Sequence, residues 1–174
     1  MKTHTSILLL VLFCTCTLQA QRFHHGLGVN YDSYRGNYGN SDAISLMYNP
    51  KIMFHGQNGP LTFGFAAPLN VSVVNSSART RSQLVELPLV FELGFMPSGS
   101  SMPYKGCGVF VGAGVSRVLQ INKEVNGMTY FNSYVGFRIS PFGQPLEARL
   151  NYGSNIYLPG AYKKISIGLS YILR

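Results

Sequence analysis

Gln83–Met96 reads QLVELPLVFELGFM, and its alternation decides the fold. Val85, Leu87, Leu89, Phe91, Leu93 and Phe95 hold the odd positions, while Glu86, Glu92 and Gly94 fall on even ones. Successive side chains of a strand point to opposite faces, so one face here is hydrocarbon and the other carries carboxylates and space. The closing stretch repeats the pattern. Ile165, Ile167, Leu169, Tyr171 and Leu173 alternate with Ser166, Gly168 and Ser170. A soluble sheet alternates too, but its polar face is usually rich in Lys, Glu and Thr. Here that face is Gly, Ser, Asn and a few opposed charges, and the charges of the predicted strands are expected on it alone. This is the dyad of a transmembrane β-barrel, with lipid outside and a small packed lumen inside.

Working outward, the same period gives eight predicted strands: roughly 23–33, 43–54, 61–73, 83–96, 106–117, 130–140, 145–153 and 164–173. Most reach the ~9–11 residues that a tilted strand needs to cross a bilayer. The predicted fold class is all-β, an eight-stranded antiparallel up-and-down transmembrane β-barrel. An even count puts both termini on one side, the periplasmic side in such barrels. The turns HGQNGP, PSGSSMPYK and SPFGQ then face the periplasm. YRGNYGNS, NSSARTRS, residues 118–129 and SNIYLPGAY face outward. Pro50, Pro68 and Pro88 sit inside predicted strands and cannot donate to a ladder, so they count against a closed barrel unless they lie at bulges or near the rims, Pro88 most of all because it is mid-strand.

The first residues set the compartment. Lys2, the apolar run Ile7–Phe13 and the end TLQA before Gln21 read as a secretory signal peptide over 1–20, cut after Ala20. The run is too short to span as a helix. Cys14 and Cys16 lack the small preceding residue of a lipid-attachment signal and leave with the peptide, so the mature chain keeps only Cys107 and no internal disulfide. The expected domain is 21–174, about 154 residues, one domain in length. No other apolar run approaches the ~18 residues of a helical span. The net charge of +8 includes Lys2. The basic residues are scattered between loops and lumen, which argues against nucleic acid and toward the phosphate-bearing lipid, lipopolysaccharide included, around the barrel.

Period two also assigns faces. Leu27, Val29, Ile44, Leu46, Phe63, Phe65, Val109, Val111, Val135, Phe137 and Leu150 are expected outward. Asn30, Lys51, Glu86, Glu92, Asn132, Tyr134, Arg138, Glu147 and Arg149 are expected inward. Eight strands enclose just enough room for side chains, so charges there must pair or stay wet. Lys51, Glu86, Glu92, Arg138, Glu147 and Arg149 are therefore read as a lumenal charge network, a structural plug rather than a gate or proton path. The glycines of GVFVGAGVS (108–116) are read as lumen space beside Phe110 and Tyr134, not as a phosphate loop.

Signal peptide, Gln21 at the mature start, eight dyad strands, the Glu-Leu-Pro segment of the fourth strand and the closing ISIGLSYIL together resemble the outer-membrane β-barrel domain family common in Bacteroidota. The architecture is similar to the small OmpA/OmpX-type barrels of Gram-negative envelopes. The resemblance implies a membrane-embedded barrel with a structural or interaction role in the cell outer membrane, inserted by the barrel-insertion machinery, with an envelope protein as a possible partner. It implies no single activity. Such barrels typically end in an aromatic residue that the insertion machinery reads, whereas this sequence ends Tyr171-Ile172-Leu173-Arg174.

Two other classes make distinct demands. A lipid-rim enzyme acting on acyl chains needs a nucleophilic serine and a histidine base within reach. After His4 is removed only His24, His25 and His55 remain, and His25 with Ser166 or Ser170 is the one conceivable pair. No catalytic residue is assigned. A secreted lipocalin-like barrel would need an apolar interior and typically a Trp near its first strand; the chain has no Trp, and inverting the faces would overfill the lumen. The histidines and the lone cysteine have no metal-ligand spacing, so no metal and no cofactor is expected.

Overall fold

The computed structural model describes residues 21–36, 39–55, 60–76, 81–95, 107–120, 128–140, 145–157 and 162–173. The signal-peptide reading of 1–20 and most of the connecting turns lie outside these. Ten strands follow one another: β1 (Gln21–Gly36), β2 (Gly39–Tyr48), β3 (Lys51–His55), β4 (Leu61–Ala66), β5 (Leu69–Ser76), β6 (Arg81–Phe95), β7 (Gly108–Gln120), β8 (Met128–Ile139), β9 (Leu146–Asn155) and β10 (Tyr162–Leu173). β2 and β3 pair with β1 in succession, and β5 and β4 pair with β6 in succession. Each of these two couples is therefore one stave, and the sheet has eight. Every pairing is antiparallel between chain neighbours, and β10 returns to β1 from His25↔Leu173 to Gly36↔Tyr162. The sheet closes on itself, which leaves no free edge. Gln21 and Leu173 lie at one end, the near end; the β1–β2 turn marks the far end.

Two staves are interrupted because of proline, and the position differs from expectation. The three prolines are neither at bulges nor at rims. The register continues unchanged through each break, since Leu27 faces Tyr48 and His24 faces Lys51, while Ala66 faces Val90 and Asn70 faces Glu86. Between those rungs Gly26 and Asn49 still exchange both backbone bonds, at 3.0 and 2.7 Å. Ala67 N–H still donates to the Pro50 carbonyl at 3.0 Å. Alternation then turns Pro68 toward the next stave, where unbroken register sets it opposite Pro88, the midpoint of β6. Two absent donors share one rung. The prolines thus make one lateral line across three staves, and the ladder is intact above and below it.

Faces follow the period. Along β4 the burial strictly alternates, and the outward residues Leu27, Val29, Ile44, Leu46, Phe63, Phe65, Val109, Val111, Val135, Phe137 and Leu150 are all exposed, Ile44 to 71%. The exterior is a sleeve of Leu, Ile, Val and Phe. The interior is polar, with Asn, Ser and charged residues outnumbering the apolar ones among the buried side chains. That is the reverse of a lipocalin-type interior. One expected regularity fails: Arg117 lies in β7 on the outward, exposed face, so the strand charges do not all point inward.

Candidate functional site

The lumen is filled by rings seated on glycines and by two clusters of charge. Gly112 faces Tyr134 and Phe110 faces Gly136 across the β7–β8 seam. A Cβ on Gly112 would run into the Tyr134 ring, and one on Gly136 into the Phe110 ring. Each glycine supplies the space its cross-strand partner occupies. Phe110 and Tyr134 meet edge to face, 5.9 Å between centroids, and with Val90 form an apolar floor inside the barrel.

Beside that floor, toward the near end, lies the first cluster. Lys51 of β3 reaches across the lumen and donates to both oxygens of Glu92 on β6, at 3.1 and 2.8 Å, and to both oxygens of Glu147 on β9, at 3.0 Å each. Arg138 of β8 bonds Glu147 through Nε at 2.8 Å and through Nη2, and stands 3.6 Å from Glu92. Arg149 donates to Glu147 at 3.0 Å, and the Tyr134 hydroxyl donates to Glu92 at 2.7 Å. Glu92 and Glu147 are both 0% exposed. Lys51 and Arg138 also stand over the Phe110 ring, at 4.9 and 5.4 Å from its centroid, and Arg149 over Tyr134. The ring faces add attraction for these cations where water is scarce.

Glu86 is not in this cluster. It pairs with Lys164 of β10, which also lies 3.1 Å from Asp32 of β1. Ser45 donates to Asp32 at 2.7 Å, and the Tyr34 ring lies beneath the lysine, 5.7 Å from its ammonium. This second cluster sits toward the far end, and sequence reasoning omitted Lys164 and Asp32 from it. The signal was present: Lys164 alternates with Ile165 and Asp32 with Tyr31, the parity that sends Ser166 and Asn30 inward. Between the clusters Asn30 donates to Asn70 at 2.8 Å and Asn132 to Ser116 at 3.0 Å, so the middle is bridged by neutral groups.

Near the first cluster a cavity of about 10 Å³ is lined by His24, Gly26, Asn49, Lys51 and Arg138. That volume suits about one water molecule. His25 turns outward, where its Nδ1 bonds the Tyr48 hydroxyl beside Phe23. Ser166 and Ser170 are buried on the inward face, so the conceivable His25–serine pair is split between the two faces of the wall. Cys107 is exposed at the near end of β7. Among the described residues no group of histidine, cysteine and carboxylate could hold a metal ion.

An antiparallel eight-stave barrel with an apolar sleeve and a paired-charge lumen is the architecture of the small outer-membrane barrels. The solved structures agree. Neisserial surface protein A matches with a TM-score of 0.64 at 11% identity, covering 89% of this chain and 99% of that one. Ail, the attachment invasion locus protein of Yersinia pestis, solved with the heparin analogue sucrose octasulfate, matches at a TM-score of 0.54 and 13% identity, covering 89% and 100%. Both are OmpA/OmpX-like outer-membrane β-barrels, and at such identities the likeness is one of fold. No protein-family model and no curated protein matches the sequence.

Proposed function

We propose that this chain is an integral outer-membrane β-barrel of the Bacteroidota type, with a structural or interaction role in the cell envelope and a plugged lumen that conducts nothing. The near end faces the periplasm and the far end the outside. The observation that carries the reading is Lys51, whose ammonium bonds Glu92 and Glu147 together and so ties three staves across the lumen. Charges held this way favour a plug over a water path, because the carboxylates of Glu92 and Glu147 are bonded from several sides within a lumen that side chains fill. The apolar sleeve supports lipid outside, and closure of β1 on β10 supports stability there, since every backbone group needs a partner in hydrocarbon.

The role is one of scaffold and contact rather than catalysis. Tyr171 stands outward at the near end. The far-end loops are the surface for an envelope protein partner. Ail's complex with a sulfated sugar analogue supports surface recognition as a use of this fold. Fractionation and planar-bilayer recording test the proposal together. The mature protein is expected in outer membranes, to resist carbonate extraction, to shift on gels when boiled, and to give no discrete conductance steps. A soluble periplasmic monomer overturns the barrel in lipid; stable single-channel steps overturn the plug.

A further inference from the structure

Among the described residues, the charges that face away from the lumen lie toward one edge of the sleeve. Arg35, Asp42, Arg117 and Lys163 are exposed, outward and at the far end. Three of them stand past the last apolar outward residues of their strands, Arg35 past Tyr31, Lys163 past Ile165 and Asp42 past Ile44, whereas on β7 Leu119 follows Arg117 on the outward face. At ~2.5 Å of height per tilted residue, Phe23 to Ser33 covers about 25 Å, the height of the apolar band of such barrels. Arg35 and Lys163 therefore sit just above hydrocarbon, at the level of lipid headgroups. At the near edge the outward positions are Phe23, Phe54, Leu61, Phe95, Ile139 and Leu173, and no described outward side chain there is charged.

Arg35 and Lys163 are direct partners across the closing β1–β10 seam. Like charges set opposite each other, ~5 Å apart at Cβ, destabilise a sheet unless an anion lies between them. Arg35 is already aimed. Its Nη1 donates to the Tyr34 carbonyl at 3.0 Å and to Asp42 at 3.1 Å, and among the described residues Nε and Nη2 have no partner. Lys163 has no partner among the described residues.

We propose that Arg35 and Lys163 clamp a phosphate group of a phosphorylated glycolipid in the outer leaflet. The inference rests on the orientation given under Proposed function. A planar guanidinium fits two phosphate oxygens at once, and the ammonium adds a compact charge beside it. Asp42 faces the same layer, and its place is to hold Arg35 rather than to meet the lipid.

The test uses the folded mature chain in nanodiscs, titrated with bisphosphorylated lipid A and with the same lipid after its phosphates are removed. Arg35→Gln or Lys163→Gln is expected to weaken binding of the phosphorylated lipid about fivefold, and the double variant about twentyfold. The dephosphorylated lipid should bind the native chain as weakly as the phosphorylated lipid binds the double variant. Equal binding by native and double variant, with the gel shift on boiling intact, overturns the clamp. Sucrose octasulfate in solution matching lipid A in affinity, with the same loss in the double variant, overturns the lipid assignment in favour of a soluble polyanion. Failure of the outer-membrane reading would show separately, as a soluble protein with no gel shift.

Discussion

The two charge clusters in the lumen are built on opposite plans. Toward the near end Lys51, Arg138 and Arg149 surround Glu92 and Glu147, so cations exceed carboxylates and the bonds branch. Toward the far end Glu86 and Asp32 share the ammonium of Lys164, so among the described residues carboxylates exceed cations and both depend on one cation, with Ser45 adding a neutral bond to Asp32. A branched network keeps partners for each member when one is removed, whereas a hub does not. The cost of a substitution should therefore track what is left unpaired more than how many bonds are cut.

Lys164→Met attacks the hub and should be the most damaging change. It leaves two buried carboxylates without a cation, Asp32 keeping only the Ser45 hydroxyl, and the expected loss is about 3–5 kcal/mol in urea unfolding from lipid vesicles. A loss smaller than that of any near-end variant would erase the contrast. Glu147→Gln comes next, about 2–4 kcal/mol, because Arg149 loses its carboxylate while Lys51 and Arg138 keep Glu92.

Arg138→Leu is expected to cost less, about 1–3 kcal/mol, since Glu147 retains Lys51 and Arg149. A double-mutant cycle sharpens the point: Arg138→Leu should couple to Glu147→Gln and not to Glu86→Gln, which belongs to the other cluster. Coupling to Glu86 would mean one network rather than two. Last come changes on the sleeve. Phe137→Ala should cost only the lost burial of its ring in lipid, about 1.5–2 kcal/mol, while Cys107→Ser should move stability by under about 1 kcal/mol, and neither should couple to either cluster.

Period two in the sequence shows which face a residue takes, and that is why Lys51, Glu92 and Arg138 could be placed inward from the chain alone. It does not show height. Glu86 and Glu92 share a face of β6, yet six residues of tilted strand separate them, and each meets a different lysine. Height depends on the stagger between neighbouring staves, which arises from register and closure and leaves no local trace. The prolines illustrate the same limit. Pro68 and Pro88 read as separate defects until the register sets them on one rung. Arg117 departs from the pattern for a third reason: it lies in the far part of β7, where an outward charge costs less than at the middle of the bilayer.

The ring-on-glycine fit inside the barrel has a consequence for descent. Gly112 and Tyr134 occupy one volume between them, as do Gly136 and Phe110. A lineage that adds a methyl group at either glycine must shrink or move the opposing ring, and one that loses the ring opens a hole beside a salt bridge. Each pair is thus a single heritable unit written at two places in the gene. Among relatives of this chain the two positions should change together, and a substitution at one without the other should mark a barrel whose lumen has been rebuilt.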